Sequence, residues 1–172
     1  MSLDSFKVEG GAKLSGEIVP QGAKNEALQI LCAVLLTAEP VRINNIPNIV
    51  DIQRLIELLK GLGVKVDKHS PNDITFQADN INMDYLNSPD FSSNARKIRG
   101  SVMLIGPLLA RFGKAYLPQP GGDKIGRRRL DTHFEGFAAL GATFNYDGGE
   151  HFYSVECKKL KGTFIHLEEA SV

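Results

Sequence analysis

The chain lacks a net charge: its 172 residues carry 20 Lys and Arg against 20 Asp and Glu. That balance argues against a general nucleic-acid binder or a polybasic membrane protein, both of which need surplus cations. Long hydrophobic runs are missing too. The longest, "ALQILCAVLLTA" from Ala27 to Ala38, spans 12 residues and includes Gln29, which is too short for a bilayer and suits a buried helix. Cysteine is scarce. Cys32 and Cys157 lie far apart without metal-ligand spacing, and Cys32 falls inside that apolar helix as a reduced core residue. His69 and His133 show no metal-ligand spacing, and His151 and His166 have no partner that the sequence identifies, so neither a metal nor another cofactor is expected. The opening "MSLDSFKVEGG" has no basic segment followed by an apolar one, so no secretory signal is expected and a cytoplasmic location is. What is present, 42% hydrophobic and 23% charged residues, fits an ordinary globular core.

The order of patterns repeats along the chain. "GEIVPQGAKN" reads as a strand and turn, followed by the apolar helix through Ala38 and a short strand "VRINNIP". "DIQRLIELLKGLG" is an amphipathic helix with apolar residues at Ile52, Leu55, Ile56, Leu58, Leu59 and Leu62, stopped by Gly63. The strands "VKVDK" and "ITFQA" follow. Then "SSNARKIRGSVMLIGPLLARFG" repeats the apolar helix, "KAYLPQ" the strand and "RLDTHFEGFAALGA" the amphipathic helix, with Phe134, Phe137 and Leu140 as its core face. "TFNYD" and "FYSVEC" complete the second copy. Leu35-Leu36 align with Leu108-Leu109 at an offset of 73, and Leu62-Gly63 with Leu140-Gly141 at 78. The fold class expected is therefore α/β (α+β), built from βαβαββ units of roughly 75 residues. A third copy begins at "LKGTFIHLEEASV", with Leu160 and Gly162 matching Leu14 and Gly16 at an offset of 146, and part of a longer protein is expected.

Charge is unevenly spread. From Arg96 to Arg129 there are nine Lys and Arg residues and one acid, Asp123, within "PGGDKIGRRRLDTH". On charge alone this is either a solvated face or the wall of a site for phosphates or carboxylates. The entrance to the apolar helix is polar in each copy: "GAKNEA", "KIRGS", "EASV". Free N–H groups at a helix N-terminus favour anions, whereas Lys24 or Arg99 there is unfavourable unless a ligand compensates. Asp51 and Asp131, near equivalent helix starts, read as candidate N-terminal caps.

"GAKN" at Gly22 to Asn25, "IRGS" at Ile98 to Ser101, "GPLLARFGKAYLPQPGGDKIGRRRLDTH" and the closing "ASV" together resemble the UDP-N-acetylglucosamine 1-carboxyvinyltransferase family, a branch of the enolpyruvyl transferases. The resemblance runs from Phe6 to Val172 and covers a little under half of the family's usual length. It implies an inside-out α/β barrel of two domains, each with three copies of the unit. Residues 1–21 would then hold a strand of the second domain and 22–172 an incomplete first domain, with copies at about 14–79 and 90–157 and a third starting at 160–172. The implied reaction transfers the enolpyruvyl group from phosphoenolpyruvate to the 3′-hydroxyl of UDP-N-acetylglucosamine, the first committed step of peptidoglycan synthesis. The resemblance sets Lys24, Asn25 and Arg99 on phosphoenolpyruvate or its intermediate, with Arg128 joining as a loop closes. Arg128, Arg129, Leu130, Asp131 and Thr132, with Ser171 and Val172, match contacts to the nucleotide. Asp123 stands where many relatives carry a proton-donating cysteine and some carry aspartate. Lys124 and Arg127 to Arg129 favour its charged form, whereas a general acid must hold its proton; ligand binding should help, since the substrate's anions neutralise those cations and closure desolvates the carboxyl. The partners implied are those two substrates and the remaining C-terminal portion, with no nucleic acid and no membrane.

Two positions depart from the family pattern. Arg129 replaces a common proline, and Glu169 replaces a common lysine near the nucleotide. Three alternatives stay open. 3-Phosphoshikimate 1-carboxyvinyltransferase shares the chemistry, but its lysine sits in a "KS" context followed by "NR" and this chain reads "KNEA". A non-catalytic module is the second, since the family's general base and several arginines lie in the portion absent here. A repeat scaffold for another anion is the third.

Overall fold

The computed structural model of the chain describes residues 5, 7–119, 121, 130–149 and 152–167. The first copy runs through α1 (Lys24–Ala33), continued by a 3-10 turn (Val34–Leu36), then β1 (Val41–Ile43), α2 (Val50–Gly61), β2 (Lys65–Ser70) and β3 (Asp73–Gln77). A 3-10 turn (Met83–Asn87) and α3 (Pro89–Ala95) lead to the second copy. This comprises a 3-10 segment (Arg99–Leu104), α4 (Ile105–Phe112), β4 (Lys114–Pro118), α5 (Asp131–Ala139), β5 (Thr143–Asp147) and β6 (Phe152–Glu156). The architecture is mixed α/β. Each copy folds into a three-stranded sheet of the same order, β1-β3-β2 and β4-β6-β5, and every pairing is antiparallel.

The copies also end their amphipathic helices identically. Gly63 and Gly141 both take φ +95, the left-handed conformation that a side chain resists. Gly63 N–H donates to Lys60 O and Val64 N–H to Leu59 O, while Gly141 N–H donates to Ala138 O and Ala142 N–H to Phe137 O. These paired bonds close each helix by satisfying its last carbonyls.

One apolar cluster joins both copies, including Leu31, Leu35, Leu55, Leu59 and Phe76 from the first and Leu108, Leu117 and Val155 from the second. Cys32 lies within it, and burial pushes its thiol pKa well up. Arg111, in the last turn of α4, ties the copies together. Its Nη1 stands 2.9 Å from Leu35 O, 2.9 Å from Thr37 O and 2.8 Å from Ala78 O. A cation there satisfies carbonyls that the end of the 3-10 turn leaves over.

Four expectations need correction. "GEIVPQGAKN" forms no strand: Ile18 and Val19 are 90% and 82% exposed. A strand needs a ladder partner, and none of the described strands pairs with this stretch. Residues 160–167 likewise form none, and Phe164 is exposed. The second apolar helix is not continuous. Ile98 is extended (φ −133, ψ 131), and Ser101 Oγ donates to Ala95 O and Ile98 O at the break. Pro107 has no N–H to give to Met103, so α-helical bonding starts only at Ile105. The core face of α5 is only half-buried. Phe134 and Phe137 pack against the core without being sealed, and Phe134 lies 4.0 Å from Phe144 and 5.0 Å from Tyr153 between ring centroids.

Candidate active site

The mouth of α1 is held by a close backbone approach. A Cβ on Gly22 would stand 1.9 Å from Asn45 O, so only glycine lets the chain enter the helix against the β1–α2 connection. Ala23 is the N-cap and offers no side-chain cap. Lys24 follows at the first helical position, with its ammonium nitrogen 2.5 Å from Asp51 Oδ2; the two side chains are 46% and 31% exposed. Asn25, beside it, is exposed. Asp51 is therefore no cap, contrary to the expectation: the N-cap of α2 is Ile49, and Asp51 sits in the first turn where an acid suits the helix dipole.

One face of α2 reaches both cationic entrances. Asp51 and Arg54, three residues apart, are neighbours on the helix surface. The first holds Lys24, and Arg54 Nη1 donates to Lys97 O at 3.4 Å. Two residues on from Lys97, Arg99 opens the 3-10 segment and is half-buried. That segment packs directly on α1, since a Cβ on Gly100 would lie 2.9 Å from Leu28 Cδ2.

The α5 side closes on the same segment. Burial, and secondarily the charge of Arg99, hold the His133 imidazole below the usual histidine range, so it is neutral at pH 7. Gly121 lies against the end of α3, three residues before Arg99, where a Cβ on it would stand 1.9 Å from Arg96 O. Leu130 is the N-cap of α5, and its carbonyl accepts from His133 and Phe134 N–H. Asp131, expected as a possible cap, is instead the first helical residue, with its Oδ1 shielded from solvent. Thr132 follows, half-buried. Lys24 and the Arg96–Arg99 segment are thus linked through α1 and α2, and the start of α5 is tied to that segment by the charge of Arg99 on His133. Asp123, Arg128, Arg129, Ser171 and Val172 lie outside the described residues, as does Glu169. What the sequence reasoning missed is the service of Asp51 and Arg54 to these cations; the available signal was two opposite charges three apart in the first turns of one helix.

Chemically, the described part gathers cations at two helix entrances, with a carboxylate already seated on one. Backbone N–H groups, helix dipoles and side-chain charge are the means by which such an arrangement can hold an anion.

A family model for EPSP synthase (3-phosphoshikimate 1-carboxyvinyltransferase) matches residues 8–172. The UDP-N-acetylglucosamine 1-carboxyvinyltransferase of Bacteroides thetaiotaomicron is 55% identical over 170 residues, which is 99% of this chain and 39% of that protein. Its counterparts from Bacteroides fragilis and Porphyromonas gingivalis are 56% and 54% identical over the same shares. The chain thus spans about two-fifths of the length of these curated relatives. Among solved structures, the enolpyruvyl transferase NikO from Streptomyces tendae superimposes with a TM-score of 0.65 at 22% identity, covering 88% of this chain and 32% of that one. EPSP synthase from Acinetobacter baumannii gives 0.61 at 14% identity, covering 91% and 35%. These two likenesses carry the fold. Because the family model matches residues 8–172 of the 172, the chain belongs to the EPSP synthase (3-phosphoshikimate 1-carboxyvinyltransferase) family.

Proposed function

We propose that the chain is the N-terminal part of a UDP-N-acetylglucosamine 1-carboxyvinyltransferase, a cytoplasmic enzyme that transfers the enolpyruvyl group of phosphoenolpyruvate to the 3′-hydroxyl of UDP-N-acetylglucosamine and releases phosphate. The observation that carries this reading is the 54–56% identity, along 99% of the chain, to proteins of that name. Within it, residues 22–172 belong to one domain of an inside-out α/β barrel, and the exposed stretch before Gly22 pairs with the other domain.

The reaction needs a proton delivered to C3 of phosphoenolpyruvate and attack at C2 by the sugar oxygen, whose own proton is removed; phosphate then leaves the tetrahedral intermediate as C3 gives up a proton and the double bond is restored. Lys24 and Arg99 hold the doubly anionic substrate at the two helix entrances, and Arg128 joins them. Charge that develops on the leaving phosphate is stabilised by cations already in place. Asn25 holds the intermediate, Asp123 donates the proton to C3, and Arg128 to Thr132 with Ser171 and Val172 hold the nucleotide. The remaining catalytic groups come from the portion beyond this chain, so the 172 residues alone do not turn over.

Phosphate release by the whole protein tests the reading. Release should require phosphoenolpyruvate together with UDP-N-acetylglucosamine. Release with shikimate 3-phosphate in place of the sugar nucleotide would move the chain to the sister activity that names the matched family.

A further inference from the structure

Lys24 stands where a cation is least favoured, at the first position of α1 with no side-chain cap beside it. Asp51 stands where an anion is most favoured, in the first turn of α2. Their contact at 2.5 Å therefore sets a carboxylate beside two positive helix ends, in the kind of position an anionic substrate would take. Neither side chain is sealed, at 46% and 31% exposed, so solvent and ligand both reach the pair. A lysine ammonium has three N–H groups on a flexible stem with much rotamer freedom. A carboxylate on one side of it fixes where the nitrogen sits and leaves its other N–H groups facing outward.

We propose that Asp51 is a positioning residue for Lys24: it holds the ammonium at the mouth of α1 so that the remaining N–H groups meet the phosphoenolpyruvate. The inference rests on the transferase reading above. It also gives α2 a purpose beyond the core. Ile52, Leu55 and Leu59 anchor the helix, and on another face Asp51 sets Lys24 while Arg54 braces the backbone two residues before Arg99. A helix that is rigid because its apolar face is fully buried is a suitable support for two cations that must keep a fixed separation.

The test is steady-state kinetics of the whole protein with Asp51→Asn, Asp51→Ala and Asp51→Glu. Asn keeps the shape and removes the charge, so it separates loss of the ion pair from loss of the fold. For Asn and Ala, kcat/KM for phosphoenolpyruvate should fall about tenfold while KM for UDP-N-acetylglucosamine stays within about twofold, the signature of a misplaced contact to one substrate. Glu should recover most of the loss, because a side chain that is not sealed can absorb one more methylene. Unchanged kinetics in Asn and Ala would overturn the inference. So would equal losses on both substrates with a lowered melting temperature and no recovery by Glu, which is the behaviour of a structural residue. A wild-type protein that forms no enolpyruvyl product overturns the transferase reading and this inference with it, whereas an active wild type with an indifferent Asp51→Asn overturns the inference alone.

Discussion

Gly121 lies so close to the backbone of Arg96 that a Cβ built on it would stand 1.9 Å from the Arg96 carbonyl oxygen. No side chain, alanine included, fits there without a backbone shift. The contact joins the stretch carrying Asp123 to the segment carrying Arg99, two parts of the chain with more than 20 residues between them.

Gly121→Ala should therefore disturb the site more than the fold. Gly121 is exposed and outside the core cluster, so the melting temperature should change little. Turnover of the whole protein should fall roughly 100-fold, the scale expected when a catalytic group is displaced by about 1 Å. Steady-state kinetics beside a thermal melt distinguishes the two effects, and an unaltered kcat would show that this approach is not needed.

Arg111→Ala should act in the opposite sense, on stability. It strips a part-buried cation from the carbonyls of Leu35, Thr37 and Ala78 and leaves them without their donor. The cost should be about 3 kcal/mol, since each buried acceptor left unsatisfied costs about 1–3 kcal/mol and some will find water. Arg111→Lys should recover less than half, because the lysine side chain is one bond shorter and sets its ammonium short of the position that Nη1 holds among the three carbonyls. Denaturant unfolding measures both.

His133 should produce a pH dependence of stability. Its folded pKa is depressed by burial and by Arg99, so above the ordinary value of 6.5 both folded and unfolded forms are neutral and stability is at its full level. As pH falls through 6.5 the unfolded chain takes up a proton that the folded one resists, and stability is lost until the folded value is passed. A titration of the His133 ring resonances should show a midpoint below 6.5, and His133→Gln should flatten that part of the stability profile. A midpoint at or above 6.5 would mean that the ring is not buried against a cation.

Fosfomycin should fail to inactivate the whole protein, because a carboxylate at Asp123 is a far poorer nucleophile than a thiolate. Asp123→Cys should make it sensitive, with one covalent adduct seen by mass spectrometry. Rapid stoichiometric labelling of the unaltered protein at Asp123 would contradict the role assigned to it.

Local spacing alone made much of this protein legible. The amphipathic period of α2, the glycine stops at Gly63 and Gly141, the burial of Cys32 and the recurrence of helix, strand, helix and hairpin depend on residues near one another in sequence. They appear in the structure as two sheets of the same order. The polar entrances at Lys24 and Arg99 were visible for the same reason, as breaks at the start of apolar patterns. The strand expected over "GEIVPQGAKN" was not realised, because alternation describes a strand's faces but says nothing about the neighbour that must accept its hydrogen bonds.

Only the tertiary structure decided which distant groups meet. Asp51 could cap its own helix or reach across to another, and the packing of α2 on α1 turned it toward Lys24. Arg111 could point to solvent, but the end of α4 brings it under three carbonyls of the other copy. Phe134 and Phe137 recur at helical spacing as the apolar residues of α2 do, yet stay half-buried because burial depends on what lies opposite a face as well as on the face itself. A sequence encodes periodicity directly, one turn or one pleat at a time. Contacts such as these arise only when two surfaces, each satisfactory alone, are set against each other at a particular angle and register.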